Sequence, residues 1–238
     1  MPVHGRQFMI VSHKYRFIYL KTIKTASSSM ESLLSGICGP DDIVTPTKES
    51  LMVHRSGVKC QNYELKHPLV PKRSWFKRLL RRPIRYYHPS VGYYEHMPAW
   101  RVRAYLGDEI WNQYYKFSFE RNPWDRQVSF YHYRCRDRGK QMSFEQFLEK
   151  RRRSFVDNWG IYTINNQCSV DFLGRFEHLV NDFNLVKKEL GLPNNMNIPT
   201  VNKSSKAANY KKYYTDVTRQ LIAEWYSNEI EMCDYKFE

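Results

Sequence analysis

Three times along the chain a short apolar run gives way to a polar turn and then to apolar residues at helical spacing. In "FIYLKTIKTASSSMESLLSGI", residues 17–20 are continuously apolar, the pattern of a strand covered on both faces. Met30, Leu33, Leu34 and Ile37 then recur at i, i+3, i+4 and i+7, an amphipathic helix stopped by Gly36 and the Gly39-Pro40 pair. In "YYKFSFERNPWDRQVSFYHYR", Tyr115, Phe117 and Phe119 alternate as in a strand. Asn122 suits a helix N-cap, Pro123 the first helical position and Asp125 the first turn. Trp124, Val128 and Tyr131 share the face that follows.

The third unit is "SVDFLGRFEHL", followed by Leu179, Phe183, Val186 and Leu190 in helical register and a stop at Gly191 and Pro193. A last helix is expected from about Thr215, with Val217, Leu221 and Trp225 on its apolar face. Strands that alternate with helices predict a central parallel sheet flanked by helices, a three-layer α/β fold. No internal repeat or low-complexity linker divides the 238 residues, so residues 1–238 read as one domain. Residues 51–95 break the rhythm. Residues 72–85, "KRSWFKRLLRRPIR", carry seven basic residues and no acidic one, and prolines interrupt the neighbourhood. This is read as a basic insertion or lid beside the strand ends, where such sheets bind ligands.

An apolar content of 42% is enough to fill a core. The net charge of +14 favours anionic partners: nucleotide, acidic glycan, nucleic acid or acidic membrane. Five cysteines without a CxxC pair indicate reduced thiols, and His132 with Cys135 is the nearest approach to metal-ligand spacing, so no metal is expected. The first apolar stretch, residues 8–11, is too short for a signal peptide or anchor, and no later run reaches the ~18 residues of a spanning helix. A cytoplasmic location is expected.

The turn after residue 20 has its own chemistry. Amides at a helix start lack intrahelical acceptors and carry the positive end of the dipole, so they attract phosphate. Ser27, Ser28 and Ser29 add hydroxyls, and Lys24 adds a mobile cation. A serine-rich turn that only caps its helix would have the same composition. The Walker pattern is absent, for there is no glycine from Lys21 to Ser35. In "ERNPWDRQVS", Arg121 closes a strand and Ser129 lies in the next helix. Seven residues of helix rise about 10 Å, so the two meet one phosphate only along the helix flank. A surface arginine and an ordinary helix serine would be spaced alike.

The two turns together resemble the sulfotransferase family, in its carbohydrate and related bacterial branches. "LKTIKTASSS" is similar to the family's 5′-phosphosulfate loop and "FERNPWDRQVSFYHY" to its 3′-phosphate motif. "EHMPAWRVRAYLG", "VDFLGRFEHL" and "NYKKYYTDVTRQLI" extend the likeness over residues 15–237. The resemblance implies a P-loop-like fold and 3′-phosphoadenosine 5′-phosphosulfate as donor. It implies that Lys24 contacts the bridging oxygen, with Thr25, Ala26, Ser27, Ser28 and Ser29 around the 5′-phosphate. By the same resemblance Arg121 and Ser129 hold the 3′-phosphate, and Lys203 and Ser204 close over the nucleotide. His96 matches the base that activates the acceptor hydroxyl, with neighbouring Glu95 as the alternative carboxylate. Ile23 stands where relatives often carry proline and Ser27 where many carry glycine.

The acceptor implied by this branch is a glycan hydroxyl. Nucleic acid is not expected as partner; peripheral contact with acidic membrane through residues 72–85 is the other use for that segment. Two rival functions are a P-loop-type kinase, with Asp171 as its one candidate magnesium ligand, and a basic nucleic-acid binder.

Overall fold

The computed structural model describes residues 9–45, 60–65, 92–136, 142–198 and 207–238. In chain order these form β1 (Ile10–Ser12), β2 (Phe17–Tyr19), α1 (Ser27–Ser35), β3 (Ile43–Val44), α2 (Ala99–Leu106), α3 (Asp108–Gln113), β4 (Tyr115–Glu120) and α4 (Pro123–Arg136). Then come α5 (Phe144–Glu149), the hairpin β5 (Thr163–Ile164) and β6 (Gln167–Cys168), β7 (Phe172–Arg175), α6 (Leu179–Glu189), α7 (Asp216–Trp225) and α8 (Ser227–Cys233). Shorter helical turns are named by residue.

Five strands form the central sheet in the order β3-β1-β2-β4-β7. β2, β4 and β7 are parallel, with Ile18 opposite Lys116 and Phe119 opposite Gly174. β1 runs antiparallel to both β2 and β3, so the expected all-parallel sheet is in fact mixed. The cause is local. The stretch read as too short for an anchor makes a tight hairpin with β2, closed by Asp42. Its carboxylate accepts from the Ser12 hydroxyl at 2.9 Å and from the amides of His13 at 2.6 Å and Gly39 at 2.8 Å.

Alternate side chains of the strands face opposite layers. Phe17, Tyr19, Phe117 and Phe119 pack with Met30 and Leu34 of α1 and with Phe183 and Val186 of α6. Ile18 and Leu20 pack the other way, with Val102 of α2, Trp111 of α3 and Tyr162. Both faces are thus covered, giving the three layers. Gly174 belongs to the first contact: a Cβ there would lie 2.5 Å from Phe119 Cε1, so glycine lets β7 close on β4.

The helical faces of α1 and α6 are those read from spacing. That of α7 is rotated: Val217 is 78% exposed, whereas Thr218 and Ile222 are buried. Thr215 and Thr218 exchange hydrogen bonds as a capping box, which sets the phase and turns Ile222 and, beyond the helix, Tyr226 inward. Next to them a charged cluster is sealed off. Arg126 is fully buried, donating to Glu120 at 2.6 Å and Glu229 at 3.4 Å, its guanidinium 4.4 Å from the Tyr226 ring centre.

Candidate active site

The turn from β2 to α1 lies at the C-terminal end of the parallel strands. Without glycine, it bends through left-handed backbone at Lys24 (φ 66°) and Ala26 (φ 55°). Ala26 occupies the N-cap and has no side chain to cap α1, so its carbonyl takes the amides of Ser29 at 2.9 Å and Met30 at 3.3 Å. The amides of Ser27 and Ser28 precede the first intrahelical bond and so have no acceptor within α1. Ser28 is exposed, Ser29 half-buried and Ser27 buried.

Surrounding residues hold this shape. The Thr22 hydroxyl meets both the Phe119 carbonyl and the Thr25 hydroxyl, the latter at 2.9 Å. Thr25 is itself buried, its hydroxyl bonded back to Thr22 within the loop. Asn158 clamps Ile23 from both sides: its Oδ1 accepts the Ile23 amide at 2.8 Å and its Nδ2 donates to the Ile23 carbonyl at 3.2 Å. The same Nδ2 donates to Glu120 at 3.1 Å, tying the loop to the buried Arg126 cluster.

Arg121 sits where β4 hands over to α4 and is 6% exposed. Its Nη1 donates to the Lys24 carbonyl at 3.1 Å, Nε and Nη2 engage Asp125 at 2.8 and 2.7 Å, and the guanidinium lies 4.1 Å from the Phe176 ring centre. Lys24 Nζ lies 4.8 Å from the Tyr133 ring centre, one turn along α4 from the half-buried Ser129. The loop therefore lies along the flank of α4, held by Arg121 at one end and reaching Tyr133 at the other, one turn beyond Ser129. Arg121 shares its charge with Asp125, a partner that spacing did not reveal.

His96 reaches the loop from the segment before α2. It too has left-handed backbone (φ 50°). Gly92 starts this segment at φ 152°, where a Cβ would be 2.2 Å from the Tyr63 carbonyl, and the Tyr93 amide bonds that carbonyl at 2.8 Å. His96 Nδ1 is 2.7 Å from the Lys21 carbonyl, and Nε2 is 3.1 Å from Glu95 Oε1. Lys21 Nζ bridges Glu31 and Glu95, both at 2.7 Å. All three charged groups are buried. Burial pushes Glu95 up, but His96 and Lys21 outweigh it and hold the carboxyl below its usual range. Burial raises Glu31 to about 7 against the pull of Lys21.

Over residues 7–236 the chain matches the model of the "Sulfotransferase family". It belongs to the sulfotransferase family. An uncharacterized protein of Archaeoglobus fulgidus is 36% identical over 106 residues, covering 43% of this chain and 88% of that protein. No solved structure matches.

Other expectations find their places around this sulfotransferase site. Asp171 precedes β7, at the strand end opposite the Lys24 turn, and its carboxylate binds the Lys116 amide at 2.7 Å and ammonium at 2.8 Å. It is a structural partner there, not a metal ligand for a kinase. The five cysteines are unpaired, and His132 Nε2 contacts the Tyr213 hydroxyl at 3.0 Å. Lys203, Ser204 and residues 72–85 lie outside the described residues. No described helix is long and apolar enough to cross a membrane. Lys21, Glu31, Asn158 and Tyr133 escaped the sequence reading. Asn158 meets Ile23 across 135 positions, a separation that leaves no local pattern.

Proposed function

We propose that this sulfotransferase moves a sulfuryl group from 3′-phosphoadenosine 5′-phosphosulfate to a hydroxyl of a carbohydrate. The observation that carries the proposal is the bond from Arg121 to the Lys24 carbonyl, which joins two anion-binding turns at adjacent parallel strands. One nucleotide with phosphate at both ends of its ribose suits such a pair.

In this mechanism the Ser27 and Ser28 amides and the Lys24 ammonium bind the 5′-phosphosulfate. Lys24 neutralises the charge that grows on the leaving phosphate oxygen, a preorganised electrostatic effect. Arg121 and Ser129 hold the 3′-phosphate, Arg121 through guanidinium donors left over from Asp125. The acceptor oxygen attacks sulfur in line, its S–O bond forming as the bond to the 5′-phosphate oxygen breaks. His96 Nε2 takes the hydroxyl proton, after the ring leaves Glu95. A placed base contributes typically ~10²–10⁴-fold. Glu95, ionised and paired, is the weaker base of the two. A carbohydrate acceptor is supported by Trp100, 51% exposed four residues after His96 with the Arg101 guanidinium 4.8 Å from its ring centre. A pyranose ring stacks on such a surface, and the chain's charge of +14 favours an acidic glycan.

The test is transfer of labelled sulfate from the donor to a panel of glycans, lipids and phenols. Glycan labelling that disappears in His96→Ala, while adenosine 3′,5′-bisphosphate still binds, is the expected result. Tighter binding of ATP than of the bisphosphate, with phosphate transfer, would overturn it.

A further inference from the structure

Lys21 holds His96 at both ends. Its backbone carbonyl takes Nδ1, and its ammonium holds the Glu95 carboxylate that takes Nε2. Lys21 is also the first residue of the turn that contains Lys24, and its second carboxylate, Glu31, is carried by α1. Any displacement of the turn or of α1 therefore reaches the imidazole through two separate contacts. We infer that Lys21, Glu31 and Glu95 are positioning residues that couple occupancy of the Lys24 loop to the orientation of His96.

A buried ion pair that served packing alone would need neither the histidine nor the loop. Isolated charges are costly to bury, and replacing such groups by apolar ones is often neutral or stabilising. Here Lys21, Glu31 and Glu95 are 4%, 2% and 8% exposed. Glu31 Oε1 and Glu95 Oε2 are buried without hydrogen-bond partners among the described residues, so each carboxylate keeps an acceptor for a rearranged donor. The groups facing the cluster are the Tyr19 hydroxyl from β2, Lys21 from the turn, Glu31 from α1, and Glu95 and His96 from the segment before α2. Burial and the two carboxylates keep Tyr19 a neutral phenol. In the arrangement described, both ring nitrogens of His96 face oxygen atoms, the Lys21 carbonyl and Glu95 Oε1. To take the hydroxyl proton the ring must be neutral, with its own proton on Nδ1 toward the Lys21 carbonyl and the Nε2 lone pair turned away from Glu95. Movement of the loop that carries Lys21 supplies that turn.

The inference rests on the proposed sulfotransfer, and the experiment separates the two. Wild-type protein labelled with ¹⁵N-histidine is titrated with adenosine 3′,5′-bisphosphate, with the His96 ring signals assigned by their loss in His96→Ala. Binding should shift those signals. Glu95→Gln should bind the bisphosphate within about twofold of wild type yet lose the shift, and kcat should fall roughly 10- to 100-fold, the cost of a misplaced catalytic group. Without the Glu95 charge the ring releases its proton more readily, so the ascending limb of kcat against pH moves to lower pH. Should Glu95→Gln fail to fold, Lys21→Met combined with Glu31→Gln removes one buried charge of each sign. It should likewise lose the ligand-induced His96 shift and the kcat, without the move of the pH profile, because Glu95 remains. Bisphosphate that binds without disturbing His96, or a variant with wild-type kcat and pH profile, overturns the positioning role alone. Wild-type protein that neither binds bisphosphate nor transfers sulfate overturns the proposed function and the inference with it.

Discussion

Asn158→Ala isolates the contribution of the clamp on Ile23 to the Lys24 loop proposed to bind the donor. Asn158 is fully buried, and its amide makes two bonds to Ile23 and one to the Glu120 carboxylate. A neutral bond of this kind is worth roughly 1 kcal/mol and one to a charged group roughly 1.5–3, so the loss is about 3–5 kcal/mol. A domain stable by about 5–15 kcal/mol survives it. The fold should persist while the loop samples other shapes. If only one molecule in ten keeps the competent shape, apparent donor affinity falls about tenfold. Urea unfolding measures the first quantity and calorimetric titration with adenosine 3′,5′-bisphosphate the second. A variant that loses stability but binds as tightly as wild type would show that other contacts hold the loop. One unchanged in both would refute the reasoning altogether.

Arg121→Ala should weaken bisphosphate binding roughly tenfold to hundredfold, the worth of a charged hydrogen bond, and unchanged calorimetric affinity would remove Arg121 from the site. Glu229 competes with the nearer Glu120 for the one Arg126 guanidinium, and burial raises it from the ordinary 4.5 to about 7. The folded chain keeps a proton there that the unfolded chain releases, so this contribution is complete below the ordinary value and is lost as pH rises through about 7. Glu229→Gln cannot ionise; between pH 4.5 and 8 wild type should lose roughly 3 kcal/mol relative to it, and parallel urea curves would exclude the effect. Gly174→Ala forces a methyl against the Phe119 ring and should cost about 1–3 kcal/mol by thermal or urea unfolding. Unaltered stability would contradict the β4–β7 register.

What could be read from sequence was local. Met30 and Leu34 face the core because their spacing says so, and Asn122 caps α4 as its residue type suggests, its Oδ1 accepting the Trp124 amide at 3.1 Å. The parallel core β2-β4-β7 followed from apolar runs that precede helices. The hairpin at β1 did not, because a three-residue strand shows too little alternation to announce its direction. The face read for α7 was shifted, not wholly misplaced: Leu221 and Trp225 do pack against the core, but Val217 is exposed and the capping threonines turn Thr218 and Ile222 inward. At the site, Lys24, Arg121 and His96 were visible as types at family spacing. Their partners were not: Glu95 looked like a rival base until Lys21, 74 positions earlier, was found paired with it. Charge pairs between distant segments leave no trace in a single chain's pattern.

The absence of glycine from the donor turn bears on how a ligand is received. Left-handed backbone costs an ordinary residue roughly 1–2 kcal/mol, which at Lys24 and Ala26 the surrounding contacts must offset as the chain folds. A glycine-rich turn escapes that strain but wanders when empty, and its ligand must then restrict it. With Lys24 and Ala26 the restriction at these two residues precedes the encounter, leaving the Lys21 end of the turn to shift, so less conformational entropy is lost on association. The shape selectivity proposed for this turn is accordingly set in large part during folding.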